Sequence, residues 1–594
     1  MSRLFGWFLG HTMVSERSRA RLLTRLSAVL LLVGCARDPR QFALRAPVLR
    51  DQDLDSVRVD CADDPKLAGV AAAVCAPELY DSSFSWDAVD NTVFRPVSKF
   101  FQVDSYGEAE NVNAFDEVPD SSWFTNRIGA RPMSPEQAAL GYCAEGPVLA
   151  SDPPDGAWLI DHGKDNGANP GFRVDVDGEK YMLKTDDEQR ERATAATSIA
   201  TRLYYAAGWW APCDSVVYFK KSALKLKPGL LIKRNIGRPL KFDSALLDSM
   251  LAKTGRRGPL YRAAASRWLP GVPLGPFTYE GRRSDDPSDV IAHENRRDLR
   301  GARMIAAWLD HFDAREQNSM STWIAVNTKD PSSAGYVRHW YIDLGDCFGS
   351  EWPVDGFSRR LGQAYLLDFN YVLEDFATLG SIERPWERAK RTPGAENFGY
   401  FSARDFDSEA WRGEYPNPAF GRMTERDGAW AARIISRFTP EHVRAAVRVG
   451  DFTNPEHTAF LTNVLLQRQH ILLQRYFGKL SPMADVRIDG RHVCAADLAR
   501  RSAAFPASSF KYSAEVRHGT NDPTDAPVAQ GDNEEVCAEL GTPAVQAQSP
   551  DNAAERYVTV RFHNGVAPGP LLLHLYDLGT RRGLRLVAIE RPTK

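Results

Sequence analysis

The sequence lacks several features that would assign a function at once. It has no phosphate-binding loop that ends in Gly-Lys-Ser/Thr, and no two cysteines have the spacing of a zinc knuckle. The segment that begins His293-Glu294 resembles a zinc-protease helix but lacks the second histidine four residues after the first. Basic residues are not in excess, because the formal net charge is -3 over 594 residues. These absences argue against P-loop nucleotide binding, cysteine-based zinc sites, zinc-protease activity and nucleic-acid binding.

The length and composition are those of a globular protein with several domains. A chain of 594 residues is too long for one hydrophobic core, so we expect roughly three or four units. The apolar fraction of 43%, with 10% aromatic and 25% charged residues, is ordinary for folded domains and argues against extensive disorder.

The N-terminus has the pattern of an export signal. Basic residues from Arg17 to Arg25 precede the apolar run Leu26 to Val33, which is too short to cross a bilayer. Leu32-Val33-Gly34-Cys35 resembles the cleavage box of bacterial lipoproteins, which implies that Cys35 is lipidated and tethers the mature chain to a membrane. Ala36 after the cysteine favours the outer membrane of the cell envelope. The alternative is a plain secretory signal with an incidental cysteine.

Seven further cysteines follow Cys35. Export makes disulfides permissible, and the pairs that are close in sequence are Cys61 with Cys75 and Cys494 with Cys537. An odd number of cysteines leaves at least one thiol free.

From Ala157 the residue pattern predicts strands. Gly163, Gly167 and Gly171 mark a glycine-containing loop, and the alternating segment Phe172 to Val176 follows it. Asp177-Gly178 predicts a tight turn, after which Lys180 to Lys184 forms the next strand. The order is strand, glycine loop, strand, turn and a strand that ends in lysine.

Two helices are predicted further along the chain. Arg190 to Ala207 carries apolar residues at helical spacing and ends before Gly208, with Glu191 at its start. Asp298 to Leu309 has apolar residues at offsets of three and four, and it leads into His311-Phe312-Asp313.

The stretch from Trp308 to Gly349 carries the most informative motifs. Asp313 precedes Asn318 by five positions, and Asp343-Leu344-Gly345 comes after a strand. These motifs resemble the catalytic loop and the metal-binding turn of the protein-kinase-like superfamily, with Leu344 in place of phenylalanine. The similarity is closer to the atypical branch of lipid kinases and HipA-type kinases, and it covers roughly residues 155 to 480.

The resemblance implies a set of roles and a nucleotide such as ATP with Mg or Mn as cofactor. Asp313 would orient an acceptor hydroxyl and take its proton, and Arg315 would face the transferred phosphate. The remaining implied roles are Lys184 and Glu191 as the ion pair that holds the nucleotide, Gly163, Gly167 and Gly171 as its covering loop, and Asn318 and Asp343 as metal ligands. Glu191 lies earlier in its helix than the corresponding acid of related proteins.

The fold class expected on this basis is α+β, with a two-lobed kinase-like fold between two other regions. The expected divisions are a signal at 1–34, an extension at 35–140, a β-rich lobe at 141–268, a helical lobe at 269–480 and a β-sandwich-like module at 481–594. Within them, Phe357 to Phe369 and Met423 to Phe477 are expected to be mostly helical, and Ser513 to Gln548 is expected to be a loop.

Three functional hypotheses follow. The first is an exported kinase that transfers a phosphoryl group to a protein or small-molecule hydroxyl, because Asp313, Asn318 and Asp343 are all present. The second is a kinase-fold lipoprotein without catalysis that acts as a binding or scaffold protein, since the periplasm has little ATP. The third is a structural lipoprotein in which the motifs are fortuitous.

Overall fold

The computed structural model describes residues 84–100, 107–163, 171–186, 189–232, 240–284, 286–329, 334–531, 534–541, 556–579 and 581–593. The predicted signal with Cys35, the cysteines Cys61 and Cys75, and Gly167 lie outside these ranges. Within them the fold is mixed α+β with several sheets. In the same ranges, no helix has both the length and the apolar character that crossing a membrane requires.

A seven-stranded sheet forms the first part of the described structure. Its spatial order is β4-β9-β3-β2-β1-β5, and β8 pairs with β9. The strands of this part, including a separate two-stranded sheet of β6 and β7, are β1 (Trp158–Gly163), β2 (Gly171–Val176), β3 (Glu179–Lys184), β4 (Asp214–Phe219), β5 (Leu224–Leu226), β6 (Leu231–Ile232), β7 (Leu240–Lys241), β8 (Arg256–Arg257) and β9 (Leu260–Arg267). The predicted turn at Asp177 and Gly178 is confirmed, with both residues at positive φ.

A buried helix follows the strand that ends in Lys184. Among the described residues, α1 (Phe84–Val89), α2 (Arg95–Phe100) and α3 (Pro135–Leu140) precede it, and the helix itself is α4 (Arg192–Ala207). Its many alanines allow close packing, and it ends at Gly208, whose φ is 132°. A Cβ on Gly208 would lie 2.2 Å from Phe124, so the approach of the preceding segment requires glycine at this position.

The chain then passes through α5 (Ser244–Lys253) and β9 into a small three-stranded sheet and a helix. The sheet has the order β10-β11-β12 and contains β10 (Val272–Gly275), β11 (Ser319–Ala325) and β12 (Gly335–Tyr341). The helix α6 (Arg297–Leu309) is almost fully buried. It therefore fixes the position of the residues that follow Leu309.

The remaining helices are α7 (Asp355–Ser358), α8 (Phe369–Thr378), α9 (Pro418–Gly421), α10 (Glu425–Ile435), α11 (Pro440–Arg448), α12 (Pro455–Phe477) and α13 (Leu498–Arg501). The predicted helical character of 423–477 is confirmed, and Thr424 and Asp427 form a capping box at the start of α10. The prediction for 357–369 is wrong, because turns occupy 359–368. Gly362 has a φ of 75°, and a Cβ there would lie 2.1 Å from Asp310, so this segment turns tightly against α6.

Two sheets follow α12. One has the order β13-β14-β18-β17 and the other β16-β15-β19-β20-β21, and their apolar residues form a single cluster. The strands are β13 (Met483–Asp489), β14 (His492–Asp497), β15 (Ser513–His518), β16 (Thr524–Ala526), β17 (Val528–Gln530), β18 (Glu535–Glu539), β19 (Tyr557–His563), β20 (Leu571–Asp577) and β21 (Leu584–Glu590). The predicted loop at 513–548 is therefore wrong in part, because Val516, Val536 and Ala538 turn inward from short strands with polar outer faces.

Two disulfides join described residues. The predicted pair Cys494 and Cys537 is confirmed, and the two residues face each other across β14 and β18. A second disulfide links Cys143 to Cys213, which lie 70 residues apart, and it was not predicted. Cys347 is buried and free.

The segment before the first sheet is tied to the later regions by one carboxylate. Asp116 lies 2.7 Å from Arg297 Nη1 on α6, 3.3 Å from Arg433 Nη2 on α10 and 2.6 Å from Arg591 Nη1 near the C-terminus. Burial raises the pKa of Asp116, but the three guanidinium groups outweigh burial and hold the pKa well below its ordinary value. Asp116 therefore connects three regions of the chain as a charged residue.

Candidate functional site

The predicted catalytic loop begins where α6 ends. Asp310 adopts a left-handed conformation with φ 54°, which stops the helix and redirects the chain. His311 follows, fully buried, and its Nδ1 lies 2.9 Å from the hydroxyl of Tyr204 on α4. Burial lowers the pKa of His311 to about 3, so this imidazole is neutral near pH 7. His311 thus joins the loop to α4 as a neutral hydrogen-bonding group.

Asp313 is buried with one oxygen unsatisfied. Its side chain accepts a hydrogen bond from Asn318 Nδ2 at 2.5 Å on Oδ2, and the same amide nitrogen donates to the Asp313 carbonyl at 2.9 Å. Its Oδ1 has no hydrogen-bond partner among the described residues, although His311 Nε2 lies 3.4 Å away. Burial, followed by the nearby carboxylate of Asp346, raises the pKa of Asp313 well above its ordinary value.

The structure brings Lys184 and Asp343 together. β12 ends at Tyr341, and Asp343 has a φ of 57°, which turns its carboxylate toward the seven-stranded sheet. Lys184 Nζ, at the end of β3, lies 2.6 Å from Asp343 Oδ1. Burial lowers the pKa of Lys184, but Asp343 more than offsets this effect, so the net pKa is above the ordinary value. This contact joins two elements 159 residues apart in sequence.

The segment predicted as the catalytic loop and the segment predicted as the metal turn are adjacent in the structure. The backbone N–H of Ile342 donates to the carbonyl oxygen of Asn318 at 3.0 Å. Asn318 and Asp343 therefore lie at the same end of the β11 and β12 hairpin, Asn318 just before β11 and Asp343 just after β12.

Two of the three predicted loop glycines are described, Gly163 at the end of β1 and Gly171 at the start of β2. Gly171 is opposite Lys184 in the β2 and β3 register, and Gly163 is opposite Phe172 in the β1 and β2 register. A Cβ on Gly163 would lie 2.5 Å from Ile232, so this glycine is needed for packing. Gly167 falls in the part of the chain that is not described.

Glu191 does not pair with Lys184. It precedes the first residue of α4 with a φ of 66°, and its Oε2 accepts a hydrogen bond from the backbone N–H of Thr453 at 2.9 Å. Its other oxygen accepts from the Thr453 hydroxyl at 2.5 Å. The expected ion pair is therefore wrong in this structure, because the left-handed backbone at the helix start directs the carboxylate away from the sheet.

Arg192, the first residue of α4, connects this helix to the predicted metal turn. Its Nη1 donates to the carbonyl oxygens of Gly345 at 2.7 Å and Cys347 at 3.2 Å, and its Nη2 lies 3.4 Å from Ser350 Oγ. The carboxylate of Asp346 is 3.6 Å from the same Nη2. Arg192 therefore holds the backbone of the turn that carries Asp343.

Sequence reasoning missed Arg192, although a signal was present. Arg192 lies three residues before Ala195 and seven before Ile199, on the apolar face of the predicted helix. An arginine on a buried face needs several acceptors, which predicts a contact to backbone or acid.

Asp214 is a second residue near Lys184 that the sequence analysis did not identify. It is buried at the start of β4, accepts a hydrogen bond from the hydroxyl of Thr197 on α4, and helps to raise the pKa of Lys184. Burial raises the pKa of Asp214 itself. Asp214 thus places a carboxyl group near Lys184 from the sheet rather than from the helix.

Arg315 is held beside the loop by an ion pair with Glu414, whose backbone N–H donates to the carbonyl of Phe312 at 2.7 Å. Burial lowers the pKa of Arg315, whereas Asp313 and Glu414 raise it, with a net increase. Arg315 is therefore a fixed cation close to Asp313. Glu414 carried no sequence signal, since it lies 99 residues from Arg315.

The donor set fits a hard divalent cation. The amide nitrogen of Asn318 donates to Asp313, which leaves the amide oxygen of Asn318 as a candidate metal ligand. Asp343 offers a carboxylate, which forms an ion pair with Lys184 in this structure. The unsatisfied Asp313 Oδ1 adds an acceptor in the same region. Elsewhere in the described part, Cys494 and Cys537 lie near Glu535, but their sulfur atoms form a disulfide and are not thiolate ligands.

We compared the chain with protein-family models, curated proteins and solved structures. No protein-family model, curated protein or solved structure matches this chain.

Proposed function

We propose that this protein is an exported, lipid-anchored kinase-like phosphotransferase that binds a Mg- or Mn-nucleotide between the seven-stranded sheet and the 311–346 region. The observation that carries the proposal is the 2.6 Å contact between Lys184 and Asp343, next to the hydrogen-bonded pair of Asp313 and Asn318. Four residues from three separate sequence segments lie close together, which supports the proposal because phosphoryl transfer uses a lysine, a base and metal ligands near one another.

Each residue has a chemical role in this proposal. Lys184 presents a positive charge to phosphate oxygens, and the turn held by Arg192 positions the Asp343 carboxylate for a cation. Asp313 orients the acceptor hydroxyl and accepts its proton at the unsatisfied Oδ1. The metal-nucleotide, when bound, supplies the phosphoryl group and neutralises its charge.

Two features support a location in the cell envelope. The first is the lipoprotein-like box ending at Cys35. The second is the pair of disulfides, since such bonds persist in oxidising compartments and are rare in the bacterial cytosol. We propose attachment to the outer membrane, on the basis of Ala36.

A second candidate function is a catalytically inactive kinase-fold lipoprotein that acts as an envelope scaffold. The observation that favours it is Asp313, because burial raises the pKa of this carboxyl and so disfavours the ionised form that a general base requires. The absence of a helix glutamate at Lys184 points the same way.

One experiment separates the two candidates. The thermal midpoint of the mature chain is measured with ATP, GTP and Mg or Mn, beside Asp343→Ala and the exposed-site control Asp522→Ala. We expect nucleotide with metal to raise the midpoint in the wild type and the control but not in Asp343→Ala, because binding to the native state stabilises it. Absence of any shift in the wild type contradicts nucleotide binding. A shift without consumption of the nucleotide supports the inactive candidate.

A further inference from the structure

A cavity of about 490 Å³ lies beside the segment from Phe312 to Arg315, and neither Lys184 nor Asp343 lines it. Phe312, Ala314 and Arg315, which flank Asp313 in sequence, contribute to its wall. Residues of the seven-stranded sheet do not contribute to it. The volume is typical of pockets that hold small molecules. The cavity therefore adjoins the segment that carries Asp313, and it is separate from the contact between Lys184 and Asp343.

Two arginines in this wall have no carboxylate partner. Arg303 Nη2 donates to the backbone carbonyls of Glu409 at 2.6 Å and Trp411 at 3.0 Å. Arg412 Nη1 donates to the carbonyls of Glu409 at 3.0 Å and Ala410 at 3.1 Å. No carboxylate oxygen in the described part of the chain lies within 4.0 Å of either guanidinium group. Backbone carbonyls hold both groups in place but leave their charges unbalanced.

The surrounding acids do not provide the missing charge. Glu414 is used by Arg315, and the Asp368 side chain caps α8 through the backbone N–H of Asn370 at 3.2 Å. The carboxylate of Glu409 binds Arg475 instead. Burial lowers the pKa of Arg303 and the nearby Arg412 lowers it further, and these two effects outweigh the opposing influence of Tyr476, Tyr365 and Glu409.

Aromatic side chains form much of the remaining wall. Tyr365, Tyr371, Trp411, Tyr415 and Phe420 line the cavity. Planar rings offer flat apolar surface to a small ring-shaped ligand and leave little room for an extended peptide.

We propose that this cavity binds the acceptor, and that the acceptor is a small hydroxylated molecule whose phosphate or carboxylate group lies against Arg303 and Arg412. Arginine suits either anion, because its planar N–H groups match both. The inference rests on the proposed phosphotransferase function and narrows the acceptor from any hydroxyl to a small anionic one.

The test measures anion binding without nucleotide. The mature chain is titrated calorimetrically with glucose 6-phosphate, glucuronate and neutral glucose, beside Arg303→Gln, Arg412→Gln and Lys184→Ala. We expect both anionic sugars to bind the wild type at least tenfold more tightly than glucose. Arg412→Gln and Arg303→Gln should each lose at least tenfold in affinity for the anions, whereas Lys184→Ala should bind them as the wild type does.

The outcomes separate this inference from the proposed function. If neither anion binds better than glucose, or if Arg412→Gln binds them unchanged, the acceptor inference is overturned, even where ATP still raises the thermal midpoint. If Lys184→Ala loses anion binding, the anions occupy the nucleotide side and the inference is likewise wrong. Unaltered circular dichroism of Arg412→Gln, which is partly exposed, excludes loss of folding as the cause.

Discussion

Asp116 and Asp313 are largely buried carboxylates that the protein treats in opposite ways. Asp116 is surrounded by Arg297, Arg433 and Arg591, and its pKa is held low. Asp313 has one amide donor and an unsatisfied oxygen, and its pKa is raised. Folding alone explains the first arrangement, since the pairs join three regions. The second is unfavourable for folding, and such groups are concentrated at functional sites.

The largest effect is expected on turnover when Asp313 is changed. Asp313→Asn keeps the shape but cannot accept a proton, so transfer from ATP should fall by about 10²–10⁴-fold, the usual contribution of a general base. The unfolding midpoint should stay equal or rise, because an unfavourable buried charge is removed. ATP consumption and urea denaturation measure the two quantities. A variant that is less stable but fully active would reverse the assignment of Asp313.

The opposite pattern is expected for Asp116. Asp116→Asn leaves three buried arginines without their shared anion, which should lower the free energy of unfolding by about 3–5 kcal/mol. Urea denaturation measures the change, with Asp313→Asn as the control that alters a second buried carboxylate. A loss as small as that of an exposed residue would mean that the network is not structural.

Arg192 should give an intermediate effect. Arg192→Gln removes the donors to Gly345 and Cys347, so two buried carbonyls lose partners, at a cost of about 1–3 kcal/mol of unfolding free energy. The Asp343 turn should also loosen and weaken nucleotide binding, measured by titration. Arg404→Gln, which removes an exposed ion pair, is the control and should change neither quantity. Unchanged nucleotide affinity in Arg192→Gln would show that the turn is held by other contacts.

The residues proposed for the site were named from local motifs and the resemblance that those motifs carry. Strand and turn signals place Lys184 at a strand end, and the roles of Asp313, Asn318 and Asp343 come from the resemblance of their motifs to those of the protein-kinase-like superfamily. The partners Asp214 and Glu414 were not predictable, because each meets its partner through packing of elements distant in sequence.

The same distinction applies to the fold. The disulfide of Cys494 with Cys537 was predicted because its residues are sequence neighbours among the cysteines, whereas that of Cys143 with Cys213 depends on how the turn after α3 packs against the start of β4. The strands within 513–548 were missed since all four are short, two of them at sheet edges, and show too few apolar positions to establish a period of two.

The pH dependence of the unfolding free energy tests the contrast between Asp313 and Asp116 without an activity measurement. A carboxyl with a raised folded pKa binds its proton more tightly in the native state, so unfolding free energy falls as pH rises from about 4 through that pKa, by up to about 1.4 kcal/mol per pH unit for one proton. Asp313→Asn should remove this fall. Asp116 acts with the opposite sign, since its folded pKa is lowered, and its stabilisation is lost as pH falls below about 4. Parallel profiles of wild type and Asp313→Asn, measured by urea denaturation without divalent cations, would contradict the raised pKa.

The smallest effect is expected at Glu191, the acid that the sequence placed in the ion pair. Its carboxylate binds Thr453 on the outer side of α4, so Glu191→Gln should change the unfolding free energy by less than about 0.5 kcal/mol and leave nucleotide affinity within twofold. Asp214→Asn is the matched variant and should weaken nucleotide binding more, because Asp214 contributes to the charge on Lys184. If Glu191→Gln weakened binding as much as Lys184→Ala, α4 would have to rotate on binding and bring Glu191 to the lysine. The pair of variants therefore decides whether the acid that supports Lys184 comes from the sheet or from the helix.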